Sequence, residues 1–146
     1  MVWWILLAVL VTAVVLWAYF TAQRLNRLHI RTDAALAALQ AALDRRAAVV
    51  AALLPEVREL AEAAEDTPLV RGDFAARSGA ELELSEGLRG VEKPPQLIDA
   101  EVRVQLAHRF YNDAVADTRA LRLRPFVRAF RLGGTAPLPV FYEHRS

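Results

Sequence analysis

The 146-residue chain contains no cysteine. Disulfides, thiol nucleophiles and thiolate metal sites are thereby excluded. Glycine and proline are scarce, at 6 and 7 residues, while Ala and Leu dominate, a balance that favours helix. Charge of either sign is missing from the first 23 residues. Across the whole chain 18 Lys and Arg face 17 Asp and Glu, a formal net charge of +1. Without a basic excess there is no electrostatic footprint for nucleic acid. His29, His108 and His144 lie far apart, and none has a second ligand at metal-binding spacing. Walker, Gly-x-Gly-x-x-Gly and Gly-x-Ser-x-Gly patterns are absent, and Ser78, Ser85 and Ser146 stand in other contexts. No cofactor, metal or small-molecule substrate is therefore expected, and the chain reads as a non-enzyme.

What is present begins with Val2–Ala22, an apolar run without charge, Gly or Pro. As a helix it is about 31 Å long, which matches the hydrocarbon thickness of a bilayer. Trp3 and Trp4 stand at one end and Trp17 and Tyr19 at the other, as at two membrane interfaces. A cleaved signal peptide is the competing reading, but it needs a basic leading region and an Ala-x-Ala cut site, and neither is found. With only Thr12 polar in its interior, the segment is predicted to be an anchor with no ion path. Arg24, Arg27 and Arg31 follow it and no basic side chain precedes it, so the positive-inside rule puts the rest of the chain in the cytoplasm.

The remainder reads all-α. Leu25, Leu28, Thr32, Leu36, Leu39, Leu43, Ala47, Val50, Leu54 and Val57 step by three or four, the spacing of one helical stripe. The anchor is expected to run unbroken into a long cytoplasmic helix, kinked at Pro55 and ending near Asp66-Thr67-Pro68. A weaker helix is predicted over Asp73–Val91, and Lys93-Pro94-Pro95 makes a turn. The third helix spans about Gln96 to Leu123. Its Leu97, Ala100, Val104, Ala107, Tyr111, Ala114, Thr118 and Leu121 form a heptad seam, widened by Phe110 and Val115. The architecture expected is an anchor (2–22), an antiparallel three-helix bundle (23–132) and an extended tail (133–146). In that last region Pro125–Leu132 reads as a short amphipathic turn stopped by Gly133-Gly134. Leu138, Val140, Phe141 and Tyr142 are too apolar for a free tail.

Charge patterning supports the packing. The segment Pro55–Glu92 is strongly acidic, and the segments on either side are basic, which favours antiparallel neighbours. Arg45-Arg46 is expected to pair with that acidic segment rather than to bind an anion or lipid head group. Glu56, Glu59, Glu62, Glu65 and Asp66 read as a solvated face. Within the seam, Tyr111-Asn112 is expected to be a hydrogen-bonded pair that fixes register rather than a ligand site.

The stretch Asp33–Leu53 resembles the first conserved block of the LemA family, Asp-Glu-Ala-Trp-Ala-x-Ile-Asp-Val-Gln-Leu-x-Arg-Arg-x-Asp-Leu-Ile-Pro-Asn-Leu. Asp33, Ala35, Ala37, Leu43, Arg45, Arg46 and Leu53 match it without a gap. Ala107–Val115 is similar to the family's Ala-Arg-Arg-x-Tyr-Asn-x-x-Val, and Pro94-Pro95-Gln96-Leu97 to its Tyr-Pro-Asp-Leu. Leu36, Gln40 and Ala51-Ala52 depart from the first block, and Thr118-Arg119 replaces a second Tyr-Asn pair. The resemblance implies a short, divergent, membrane-anchored helical bundle with no established biochemical activity.

The function expected is therefore a scaffold or protein-interaction module. The alternative is a coiled-coil subunit of a cell-envelope complex. With the third helix heading away from the membrane, Leu25, Leu28, Leu36 and Leu39 would lack cover and form an interaction face. The extended tail, with Leu138, Val140, Phe141 and Tyr142, is one candidate cover; the favoured one is a partner, either a second copy or another membrane protein.

Overall fold

The computed structural model describes residues 1–123 and 139–142, and every described element is helical. The amphipathic turn expected at Pro125–Leu132, the Gly133-Gly134 stop and most of the 133–146 tail lie outside these residues.

The first helix, α1, spans Val2–Leu53 and contains 52 residues, so it is about 78 Å long. It ends where Pro55 dictates. Proline disfavours the helical conformation in the residue before it, and Leu54 accordingly sits at φ −126°, ψ 85°. The expected kink is instead a full reversal. Pro55–Val57 forms one 3₁₀ turn, and α2 (Arg58–Asp66) folds back along α1. Arg58 Nε donates to the Ala51 carbonyl at 3.0 Å, while Val57, Ala61 and Ala64 pack against Ala47 and Val50. A tight turn follows, in which Val70 and Asp73 pair and Gly72 takes φ 80°. Helix α3 (Ala75–Gly87) then runs back beside α2. A second turn, through Gly90 at φ 78°, leads to α4 (Pro95–Arg122).

Three reversals, not two, separate α1 from α4. The last helix therefore runs antiparallel to the first, toward the apolar end, and the direction expected from sequence is corrected. Leu97 packs with Ala47 and Val50, Val104 and Tyr111 with Leu39 and Leu43, and Leu121 with Leu25. Helix α4 has 28 residues, about 42 Å, and the part of α1 after Arg24 has nearly the same length. The molecule thus has four packed helices rather than three. The seam positions Leu97, Ala100, Val104, Tyr111, Ala114, Thr118 and Leu121 are all buried, as is Val115. Phe110, counted with that face in the sequence, is 55% exposed.

The first part of α1 stands apart. Its most apolar 18-residue stretch is 0% buried, and it is long and apolar enough to cross a membrane.

Candidate functional site

The interior of the bundle carries charge. Helix α3 presents Phe74, Arg77, Glu81, Leu84 and Leu88 at alternating steps of three and four, so a cation and an anion occupy core positions. Arg77 and Glu81 are both fully buried. Glu81 accepts from Arg77 Nε at 2.9 Å and from Arg46 Nη1 at 2.7 Å. Arg77 Nη1 also reaches Asp44 at 2.7 Å and the Thr67 carbonyl at 3.0 Å. Arg46 Nη2 donates to Ser85 at 3.0 Å and lies 3.6 Å from Glu101. One bidentate carboxylate thus joins two guanidiniums and ties α1, α3 and the α2–α3 turn together. Arg46 pairs with the acidic segment, while Arg45 is exposed. Beside this network lies an open cavity of about 500 Å³, lined by Arg46, Ser85, Arg89, Lys93, Glu101 and Gln105 among others. Glu56, Glu59, Glu62, Glu65 and Asp66 are exposed on the far side.

A second constellation lies on α4. Tyr111 Oη donates to the Val140 carbonyl at 2.6 Å. The Asn112 carboxamide takes both polar groups of Tyr142: its Oδ1 accepts from the backbone N–H at 3.1 Å, and its Nδ2 donates to the carbonyl at 3.2 Å. His108 Nε2 bonds the same carbonyl, and Arg119 Nη1 donates to the Pro139 carbonyl at 2.9 Å. The Tyr142 ring is buried, edge-on to Phe74 and His108. Burial pushes the phenols of Tyr111 and Tyr142 up from their ordinary value. Tyr111 and Asn112 therefore do not bond each other to set helix register. They hold an extended stretch of backbone, residues 139–142, across α4. The apolar character of Val140, Phe141 and Tyr142 signalled that the tail packs, and the spacing of His108 and Asn112, four apart on one face, is the one signal for where.

The face expected to be open is largely closed. Leu25 and Leu39 are buried, and Leu28 and Leu36 are half-buried. Their cover is α4 itself, because the extra reversal brings it down the whole stripe. Leu25 meets Leu121. Thr32 shares a buried hydroxyl contact with Thr118 at 3.1 Å, and Arg31 pairs with Asp117 at 2.8 Å. The exposed apolar surface lies elsewhere on α4, at Ile98, Val102, Leu106 and Phe110, four residues apart. The last two border a shallow groove whose other wall includes Ala35, Ala38 and Ala42 of α1. No group of three metal-ligating side chains occurs among the described residues.

No family model, curated protein or solved structure matches this chain.

Proposed function

We propose that this protein is a single-pass, membrane-anchored interaction module of the LemA type, with its bundle on the cytoplasmic side and no catalytic role. The observation that carries the reading is the division of α1. One continuous helix is bare and apolar up to about Phe20 and packed along one face from Leu25 onward. A bare apolar helix of this length is not left in water, and bilayer hydrocarbon is the solvent it fits. Orientation draws support from α4. Because Leu121 packs on Leu25, Arg122 joins Arg24 and Arg27 at the end next to the anchor, which enlarges the basic belt expected on the cytoplasmic side. The residues on which the LemA resemblance rests hold structural positions: Arg46 sits in the buried ion network, and Tyr111 and Asn112 hold the extended residues 139–142.

Reporter fusions after Ser146, with alkaline extraction of membranes, test this directly. The expected result is a membrane pellet and a reporter active only in the cytoplasm. A fully soluble chain would overturn the anchor, and an externally active reporter would overturn the orientation. The alternative, a coiled-coil subunit of an envelope complex, draws on the exposed Ile98, Val102, Leu106 and Phe110 ridge. If that ridge is a subunit seam, Phe110→Cys will resist maleimide in native membranes and react once the protein is purified.

A further inference from the structure

The contacts to residues 139–142 have an unusual composition. Five hydrogen bonds from His108, Tyr111, Asn112 and Arg119 to this segment end on its backbone. Asn112 in particular reads one residue's N–H and C=O together, as a neighbouring strand would. The segment's side chains are met by aromatic and cationic groups: Tyr142 packs edge-on to Phe74 and His108, and Arg119 lies over the Phe141 ring. A groove with these features recognises an extended peptide with an aromatic residue at one position, whichever chain supplies it.

We propose that this groove is a peptide-binding site and that its exchange ligand is the 139–142 segment of a second copy of this chain. Two arguments favour that occupant. First, the seated segment shows that this sequence fits, and a second copy offers the identical one, so exchange keeps every contact and changes only the chain that makes it. Second, sixteen peptide steps separate Leu123 from Pro139, an extended reach of about 50 Å. The Pro139 carbonyl binds Arg119, only four residues before Leu123, so the connection is far longer than binding within one chain requires. Exchange is then decided by concentration. The segment's own effective concentration is on the order of millimolar. Copies confined to one membrane, with their grooves at one height, compete on those terms. The proposal rests on the anchored reading for that confinement alone.

The natural chain has no cysteine, so labels can be placed at will. Leu82 of α3 and Val140 of the seated segment line one pocket, which places them within reach of a short cross-linker. Two full-length chains with different tags are co-expressed, one carrying Leu82→Cys and the other Val140→Cys, and a short bismaleimide is added to the membranes. The expected product is a heterodimer carrying both tags. Asn112→Asp in the Leu82→Cys chain should lower its yield about tenfold, because the donor to the Tyr142 carbonyl is lost and a carboxylate oxygen is set against that carbonyl, with helix content unchanged by circular dichroism. An excess of synthetic peptide with the sequence of residues 139–146 should abolish it. The proposal is overturned if only the doubly substituted single chain cross-links, within itself. It is equally overturned if the heterodimer survives both Asn112→Asp and the peptide, since contact would then be collisional. Extraction of the same membranes reports separately on the anchor. A soluble chain that still gives the peptide-sensitive heterodimer would leave the exchange standing and remove the anchored reading.

Discussion

At the scale of single residues, Glu81 carries the most consequence. It is the sole carboxylate that touches both Arg46 and Arg77 among the described residues, and all three are buried. Glu81→Gln keeps the shape and removes the charge, which leaves two guanidiniums under-compensated in the core. Breaking a buried pair in this way costs about 3–5 kcal/mol. Thermal unfolding of the full chain in detergent should show the midpoint fall accordingly, and an unchanged midpoint would mean the network is wetter than its burial implies. His29 gives a pH-dependent counterpart. Burial, with Arg122 and Arg71 adding to it, holds its pKa below the usual 6.5. The unfolded chain therefore takes up the proton first. The stability from neutral His29 is complete above pH 6.5 and is lost as pH falls below it. The melting midpoint should be lower near pH 5.5 than near pH 7.5, and His29→Gln should flatten that difference. Little of this was legible in the sequence. The apolar phase of α3 passes through Arg77 and Glu81, and a charged pair in a core phase can be noticed. Which arginine of Arg45-Arg46 turns inward, however, depends on where α3 lies.

At the scale of elements, the turns decide the fold, and two glycines in them behave differently. Gly90 sits at φ 78°, with open space where a Cβ would go. Gly90→Ala is strained by its backbone alone, at about 1–2 kcal/mol for a left-handed residue. Gly87 ends α3 where a Cβ would sit 3.2 Å from Val57 Cγ1, which must give by a few tenths of an ångström, and 2.7 Å from Leu60 Cδ1. That atom is the far end of a half-buried side chain, so it can move aside, and alanine also gains up to about 1 kcal/mol of helix propensity. Gly87→Ala should therefore be close to neutral and Gly90→Ala clearly destabilising, as compared by urea unfolding midpoints. Equal losses would show that the α2–α3 contact is as rigid as the turn. The faces of the helices were largely readable: the seam from Leu97 to Leu121 and the stripe from Leu25 to Val50 face the interior, with only Leu28, Leu36 and Ala107 half-buried. In the sequence Pro55 reads as a kink, because it removes one ladder bond and clashes with the preceding turn, and the same two effects also suit a stop. The choice fell to the Arg58–Ala51 hydrogen bond and to the burial of Val57, Ala61 and Ala64 once the chain turns back.

At the scale of the whole molecule, chain direction matters most. A three-reversal path brings α4 to the anchor, so accessibility should divide sharply along α1 and α4. With single cysteines introduced one at a time, Leu39→Cys should be shielded from a polar maleimide, and Leu106→Cys in the purified protein should react freely. A double variant, Leu25→Cys with Leu121→Cys, should close an intrachain cross-link, since the two side chains pack together. Failure of that cross-link, with Leu39→Cys reactive, would restore the two-reversal path and the open stripe.

The sequence by itself determined what each segment wants to be. Its lack of cysteine, its uncharged first 23 residues and its periodic Leu and Ala specify helices, one of them long and apolar enough for a bilayer. These properties follow from local propensity and hydrophobic period, which neighbours along the chain set. Only the tertiary structure decided which stripe covers which. One reversal more or less at Pro55 flips the direction of α4, and with it the partner of Leu25, the cover of Leu39 and the position of Arg122. The same holds for Tyr111 and Asn112. Their spacing on a helix was plain, but a side chain's hydrogen-bond partner is fixed by what the fold brings within about 3 Å, here the backbone of residues 140 and 142.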